Sequence, residues 1–504
     1  MQKFEPHGRL AKLPRLPSFL PFSLLCVLWL AGCAAQPTSA PVVAAIPVQW
    51  QAPLPHQGSL TGLAQWWQQQ NDPLLVELIM AAEAVSPSIA SALSNIEQAR
   101  ASRAASAAAL LPTLDATGSL SRSRSPPINR AAQPTTTTGQ AGLQASWEID
   151  LFGQYAASRD ADQQRLEGSR ALWHAARVSV AAELANQYYS LRACEKLLAV
   201  ARADAASRLE TARLAELSAK AGFQAPATAA LARASAADGK SNAIGQGALC
   251  DLDVKALVAL TAIAEPDLRQ KLAQAPADLA QESMAPIVSV PAEVLAQRPD
   301  IFNAAREVDA AHSEVGSARA ERYPRLSLSG SVATAKSKTG RSSQYFDTWS
   351  VGPLQLTIPL FDGGASEANV EAAKARYENA AAQYRGSVRQ AVREVEEALV
   401  NLQSSAERSQ NAAIAAEGYG ASFTGTQARY KSGLASLVEL EDARRTLLAA
   451  QSAVVNLQRD RRSAWVALYR ALGGGWTSDS PVPAPAPMAS ELSSAPPPTG
   501  AATP

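Results

Sequence analysis

Trp147-Glu-Ile-Asp-Leu-Phe-Gly153 and Leu356-Thr-Ile-Pro-Leu-Phe-Asp-Gly363 are two versions of one stretch, and they decide the fold. Each follows a proline landmark, Leu111-Pro112 and Tyr323-Pro324. Each precedes a glycine turn, Lys220-Ala-Gly222 and Lys431-Ser-Gly433. The offsets are 324 − 112 = 212, 361 − 152 = 209 and 433 − 222 = 211 residues. A near-constant offset over three landmarks marks an internal duplication. Both copies read in the same order: helix, two alternating strands, a very long helix, a glycine turn, a helix.

The strands alternate with period two. Leu114, Ala116, Gly118 and Leu120 share one face, as do Leu143, Ala145, Trp147, Ile149 and Leu151. The second copy repeats this with Leu326, Leu328, Gly330 and Val332, then Leu354, Leu356, Ile358 and Leu360. The pattern predicts strands at about 112–122, 141–151, 324–333 and 350–360, each the length of a tilted transmembrane strand. The polar linkers 121–140 and 334–349 read as external loops. About eight strands are the fewest that close a membrane barrel, so four require an oligomer that shares one. The competing reading is two hairpins lying on a soluble domain.

Val370, Tyr377, Tyr384, Val388, Val392, Val395, Leu399 and Leu402 recur at spacings of seven, four and three. No proline interrupts residues 365–430, and 66 residues of helix extend about 100 Å. Residues 154–220 form the counterpart. Helices this long pack side by side as coiled coil. Gly222 and Gly433 supply the left-handed residue that ends each helix, so each copy folds into a long antiparallel hairpin. Shorter helices are predicted at 73–111, 224–264, 298–323 and 436–472.

Composition agrees. The chain has 504 residues, is 47% hydrophobic with much of that Ala, and is only 6% aromatic. That is meagre for a large conventional core and suits helices with Ala at their contacts. A net charge of +1 argues against a nucleic-acid partner, for which a basic stripe is expected.

Lys3, Arg9, Lys12 and Arg15 precede an apolar run at 19–30, which ends in Leu30-Ala31-Gly32-Cys33. This reads as a secretory signal peptide, residues 1–32, followed by a bacterial lipobox whose Cys33 carries lipid. An ordinary signal peptide with a chance Cys is the other reading. Ala34 after the Cys resembles the sorting pattern for the outer membrane. No later run reaches the roughly 18 apolar residues of a spanning helix, which leaves a closed β-barrel as the way across a bilayer.

The expected organisation has six parts. They are the signal peptide 1–32, a lipidated segment and equatorial collar 33–70, and a first repeat 71–265 with its tip at 220–224. An equatorial linker 266–292, a second repeat 293–472 with its tip at 431–435, and a C-terminal collar with a Pro/Ala-rich disordered tail, 473–504, follow.

No catalytic constellation is visible. His56, His174 and His312 are the only histidines after the signal, and they are far apart. There is no phosphate-binding glycine loop, histidine-rich metal motif or nucleophile elbow. The expectation is no enzyme, no metal and no cofactor beyond the lipid on Cys33.

Cys194 lies 222 − 194 = 28 residues before Gly222, and Cys250 lies 250 − 222 = 28 after it. Equal distances from the turn place both at one height on a hairpin. In an oxidising periplasm this predicts a disulfide, provided the Cα atoms lie within about 7 Å. Two small apolar core residues are the alternative.

Trp66-Trp67, Asp72-Pro73, Trp147 to Gly153, Leu295-Ala-Gln-Arg-Pro-Asp-Ile301 and Leu356 to Gly363 together resemble the TolC-like outer-membrane factor family. So do Tyr430-Lys-Ser-Gly-Leu434 and Leu468-Tyr-Arg-Ala-Leu-Gly-Gly-Gly-Trp476. The similarity is to its NodT/OprM-type efflux lipoproteins and spans roughly residues 60–476. It implies an α+β membrane protein with internal duplication. Three chains give four strands each to a 12-stranded β-barrel, continued by an α-helical coiled-coil tunnel through the periplasm.

The resemblance also implies the exit duct of a tripartite efflux system, fed by a periplasmic adaptor and an inner-membrane pump of the RND type. A type I protein secretion duct, or a non-conducting periplasmic coiled-coil lipoprotein, is the alternative. Val438, Asp442 and Arg445 share one helix face. By resemblance they form the periplasmic gate: Val438 an apolar constriction, Asp442 a charged ring, Arg445 a partner for a carboxylate on a neighbouring helix. Val438 stands where the family often has Leu, and Arg444 where it often has Gln. A plain solvated face is the other reading. The tips Lys220, Gly222, Phe223, Lys431, Gly433 and Leu434 are the expected adaptor contacts, or simple turns.

Overall fold

The computed structural model describes residues 72–124, 134–275 and 297–482, with 42, 44, 57–59, 66–69, 287–288 and 295. Cys33, the signal segment 1–32 and the tail after Val482 lie outside the described residues.

The elements are β1 (Gln57–Ser59), α1 (Trp66–Gln69), α2 (Pro73–Val85), α3 (Pro87–Ala108), β2 (Thr113–Ser123) and β3 (Thr136–Ile149). Then come α4 (Gln154–Lys220), α5 (Pro226–Thr261), α6 (Glu265–Gln274), β4 (Ile287–Val288) and α7 (Pro299–Ala320). The second copy continues with β5 (Arg325–Thr339), β6 (Ser342–Thr357), α8 (Ala365–Lys431) and α9 (Leu437–Ala471), and a 3-10 turn closes at Gly473–Gly475. Two compact units result. One contains Ser106–Arg159 and His312–Ala373; the other contains Val42–Ala105, Asp160–Ala311 and Lys374–Pro504.

The first unit holds a four-stranded antiparallel sheet in the order β2-β3-β5-β6. Its register aligns the alternation read in the sequence. Leu120 faces Gly139 and Leu114 faces Ala145; Leu143 faces Val332, Trp147 faces Leu328, and Leu326 faces Leu356. One apolar face therefore runs across all four strands, with Leu114, Leu120, Leu143, Val332, Trp349, Leu354 and Leu356 exposed. The opposite face carries Thr117, Ser119, Gln144, Ser329, Ser331 and Ser350. Gly142 has a close reason to be glycine. A Cβ there would lie 2.6 Å from both the Cβ of Ala333 and the carbonyl oxygen of Val332 across the ladder.

The second hairpin corrects one expectation. Residues 334–349 are not a loop: β5 and β6 continue through them and reverse at Gly340, whose φ of 59° a tight turn requires. Thr, Tyr, Phe and Trp in this polar stretch suit a pleated strand, and polarity alone does not end one. The helix expected at 73–111 is also two helices, bent by 49° at Ser86 because Pro87 occupies the first turn of α3.

The helices α4 and α8 each run 67 residues, most of them in the second unit. Both end in the same way. Phe223 N–H donates to the Ser218 carbonyl and Leu434 N–H to the Arg429 carbonyl, across Gly222 (φ 82°) and Gly433 (φ 74°). This six-residue closure satisfies the last free carbonyls, and glycine alone enters the left-handed region without strain. The Ser436 side chain accepts from Glu439 N–H while the Glu439 carboxylate accepts from Ser436 N–H, a reciprocal cap that starts α9. The main core joins Leu75 and Leu78 of α2, Leu184, Tyr188 and Leu191 of α4, Leu257 of α5, Leu399 of α8 and Leu468 of α9. Trp66 and Trp67 pack on Tyr469 at 6.0 and 4.8 Å between ring centroids. The aromatic motifs quoted from the two ends of the chain thus meet in one place.

Candidate functional site

The sequence pointed to the start of α9, and the second unit places two opposite faces there. Leu437 and Leu440 are buried with Ala212 and Ala215 of α4 and Ala232 of α5, and Phe423 and Tyr430 of α8 pack against them. Ala at these contacts lets the helices approach closely, and each buried Leu contributes about 1.5–3 kcal/mol. Val438 lies on the other face and is 67% exposed. Asp442 and Arg445, one turn on, are also exposed and are bonded to each other, three residues apart on one helix. The three predicted residues are therefore brought together on one free face. Arg445 is paired within its own helix, not with a neighbouring one as expected. An i,i+3 partner is always within reach of a long side chain, whereas an interhelical one depends on packing.

Arg444, in the sequence a departure from the family pattern, has a role of its own. It is 3% exposed and forms the centre of a buried network. Its guanidinium bonds Glu441, Thr211 Oγ1 at 2.9 Å and Ser207 Oγ at 3.3 Å. It also lies 3.8 Å from the Asp204 carboxylate and 5.5 Å from the centre of the Phe423 ring. Arg208 completes the set. It donates to Asp204 at 2.8 Å, to Glu441 at 2.9 Å and to Ser235 at 2.7 Å. Two arginines and two carboxylates balance, so charges are buried without excess. The network ties α9 to α4 and α5, that is, the second hairpin to the first. Sequence reasoning missed it because its members are 237 and 233 residues apart along the chain. The available signal was an unusual pair, Glu441 and Arg444, at i,i+3 where the neighbouring residues serve the core.

The tips are exposed. Phe223 is 85% exposed and Leu434 is 71% exposed. Lys220 pairs with Glu216 at 3.3 Å on its own helix. Both tips therefore present one large apolar side chain just past a glycine, a feature a simple turn does not need.

Cys194 and Cys250 are joined, with Cα atoms 5.5 Å apart. The bridge links α4 to α5 at equal height above the first tip. Gln246 lies alongside, its amide 3.1 Å from the Cys194 sulfur. Among the described residues, no group of three or more His, Cys, Asp or Glu could hold a metal ion.

The duplication then meets its counterpart among known proteins. The family model described as outer membrane efflux protein matches residues 78–262 and 290–474, two segments of equal length. The chain belongs to the outer membrane efflux protein family. Two relatives and one channel structure illustrate the likeness. OprJ, an outer membrane protein of Pseudomonas aeruginosa, is 30% identical over 478 residues, covering 92% of this chain and 97% of that protein. SrpC, a solvent efflux pump outer membrane protein of Pseudomonas putida, is 28% identical over 470 residues, covering 91% and 99%. The solved structure of the outer-membrane channel OprN matches with a TM-score of 0.76 at 26% identity, covering 88% of this chain and all of that one. As an outer membrane efflux protein, this chain is an exit duct of the outer membrane that extends into the periplasm. It is a channel and not an enzyme.

Proposed function

We propose that three copies of this chain close one barrel of twelve strands, each copy giving four. The observation that carries this reading is the sheet itself: among the described residues β2 and β6 stand at its two ends with no strand beyond them, and its apolar face is continuous. Open edges are a liability in a lipid bilayer, where each unpaired backbone group costs several kcal/mol, and ring closure removes them. The apolar face meets lipid and the Ser/Thr/Gln face lines the water-filled lumen. Chain continuity adds support. β3 leads into α4 and β6 into α8 within a few residues, so each strand pair is followed by a helical hairpin.

The cargo of this duct is a set of small molecules handed over by a periplasmic adaptor and an inner-membrane pump of the RND type. The relative named for solvent efflux supports small cargo. The exposed tips, with Phe223 and Leu434 beside Gly222 and Gly433, are the adaptor-binding surface. Val438, Asp442 and Arg445 face the tunnel and narrow it at rest: Val438 excludes water, and Asp442, paired with Arg445, forms a charged ring. Cys33 carries lipid that holds the mature N-terminus in the outer membrane, each buried methylene adding about 0.8 kcal/mol.

Single-channel recording of the purified protein in planar bilayers tests the duct. The expected result is a small resting conductance that rises when Val438 is shortened to Ala. Absence of conductance in every variant, with a monomeric mass in detergent by analytical ultracentrifugation, would overturn the shared barrel.

A further inference from the structure

A cavity of about 540 Å³ lies in the second unit, outside the gate and the tips. Arg100 of α3, Arg170 and His174 of α4, Phe302 of α7, Trp476 and Ser480 bring its chemistry. The volume is in the range of small-ligand sites. His174 is 9% exposed, and its Nε2 has no hydrogen-bond partner among the described residues. Its other ring nitrogen donates to the Ser480 backbone carbonyl. That bond fixes the proton on Nδ1 and leaves Nε2 as an open acceptor. Burial, and then the Arg177 charge, hold the imidazole neutral, with its pKa lowered to about 4.

The charges around the cavity are unequal. Arg100 is paired with Glu97 at 2.7 Å. Glu167 accepts from Gln163 at 2.8 Å and lies 3.7 Å from Arg306, so it is already engaged. Arg170 is exposed and has no ion pair among the described residues. A free guanidinium prefers a flat carboxylate, which it can hold with two parallel bonds. Flat apolar surface is also present: the Trp476 ring lies 5.2 Å from Phe302 and 6.2 Å from His174. A buried acceptor without a partner is destabilising, so a ligand that donates to Nε2 recovers that cost.

We propose that this cavity binds a small aromatic acid that carries a hydroxyl or amino donor. Its carboxylate is held by Arg170, its ring by Trp476 and Phe302, and its donor by His174 Nε2. A polyphosphate would need several free cations, and the described residues of the cavity offer one. A bare hydrocarbon would leave both Arg170 and His174 unanswered. The site does not depend on the duct reading, because it lies apart from the gate face and the tips.

The test uses the full-length protein in detergent and para-hydroxybenzoate as the probe, read by isothermal titration and ligand-observed NMR. Binding is expected in the micromolar to millimolar range. Arg170→Ala weakens it by about tenfold, and His174→Phe by about fivefold, each a loss of roughly 1 kcal/mol or more. Benzoate, which lacks the donor, binds the native protein as weakly as para-hydroxybenzoate binds His174→Phe. Arg170 is exposed, so its variant folds even if His174→Phe does not. Absence of binding at about 10 mM probe, a limit near −3 kcal/mol, overturns the proposal. Unchanged binding in Arg170→Ala overturns it too. Val482 lines the cavity, so truncation after Val482 is the last control. Binding that arises only in the truncated chain makes the cavity a berth for residues 483–504 and sinks the ligand reading.

Discussion

Arg444 of α9 lies 3.8 Å from Asp204 of α4, and both side chains are more than nine-tenths buried. They belong to different copies of the duplicated motif. The contact therefore fastens the two hairpins together at the level of the exposed Val438, Asp442 and Arg445.

Removing Asp204 leaves Arg444 and Arg208 to share Glu441, and that excess buried charge costs about 3–5 kcal/mol. Asp204→Ala is expected to lower the thermal midpoint of the helical signal sharply. The double variant Asp204→Leu with Arg444→Met is expected to regain most of the loss, because no charge is then stranded. A double-mutant cycle followed by circular dichroism checks this; additive effects would mean that the two residues are not coupled.

The Cys194–Cys250 bridge closes a segment with a sequence separation of 56 residues. Chain-entropy arguments give such a loop roughly 4 kcal/mol. Reduction with dithiothreitol, or the pair Cys194→Ser and Cys250→Ser, is expected to make the α4–α5 tip more sensitive to limited proteolysis. The α8–α9 tip has no such staple and should be cut at an unchanged rate.

The exposed face of α9 predicts graded effects on conduction. Val438→Ala should widen the constriction and raise the resting conductance; Val438→Leu should lower it. Asp442→Asn removes a charge and should reduce cation over anion selectivity, as read by the reversal potential in a salt gradient. Leu440→Ala acts differently. Leu440 is fully buried in the seam, so its truncation should cost about 2–5 kcal/mol of stability.

His174 carries a pH signature. Its pKa is lowered from 6.5 to about 4, first by burial and then by Arg177. The unfolded chain takes up a proton at higher pH than the folded one. Its contribution to stability is therefore fully present above pH 6.5 and is lost as the pH falls toward 4, at up to about 1.4 kcal/mol per unit. Thermal melts from pH 7 to pH 4.5 should show this slope. His174→Phe should flatten it, and an unchanged slope would assign the effect to other groups.

Much of the frame was legible from spacing alone. The residues expected to be helical at 154–220 are those of α4, because a 67-residue run without proline leaves the backbone no competing choice. The strand faces were legible because period two survives in Leu114 to Leu120 and in Leu143 to Ile149. The length of β5 and β6 was not, because Lys336 to Gln344 is polar on both faces and carries no alternation. Gly340 was the available sign of the turn between them.

By itself, the sequence determined the duplication, the two strand pairs, the long helices and the glycine turns that reverse them. These rest on local rules: period, proline, glycine and chain length. Equal spacing about Gly222 also brought Cys194 and Cys250 to one height, since helix rise is constant. Only the tertiary structure decided which face of α9 is free and which is buried. It also decided that Arg444 and not Arg445 bonds the first hairpin, and that His174 is left with an open nitrogen beside Trp476. These depend on the rotation of one helix against another. That rotation is set by packing among Ala212, Ala215, Ala232, Leu437 and Leu440, which the chain brings together from three separate helices.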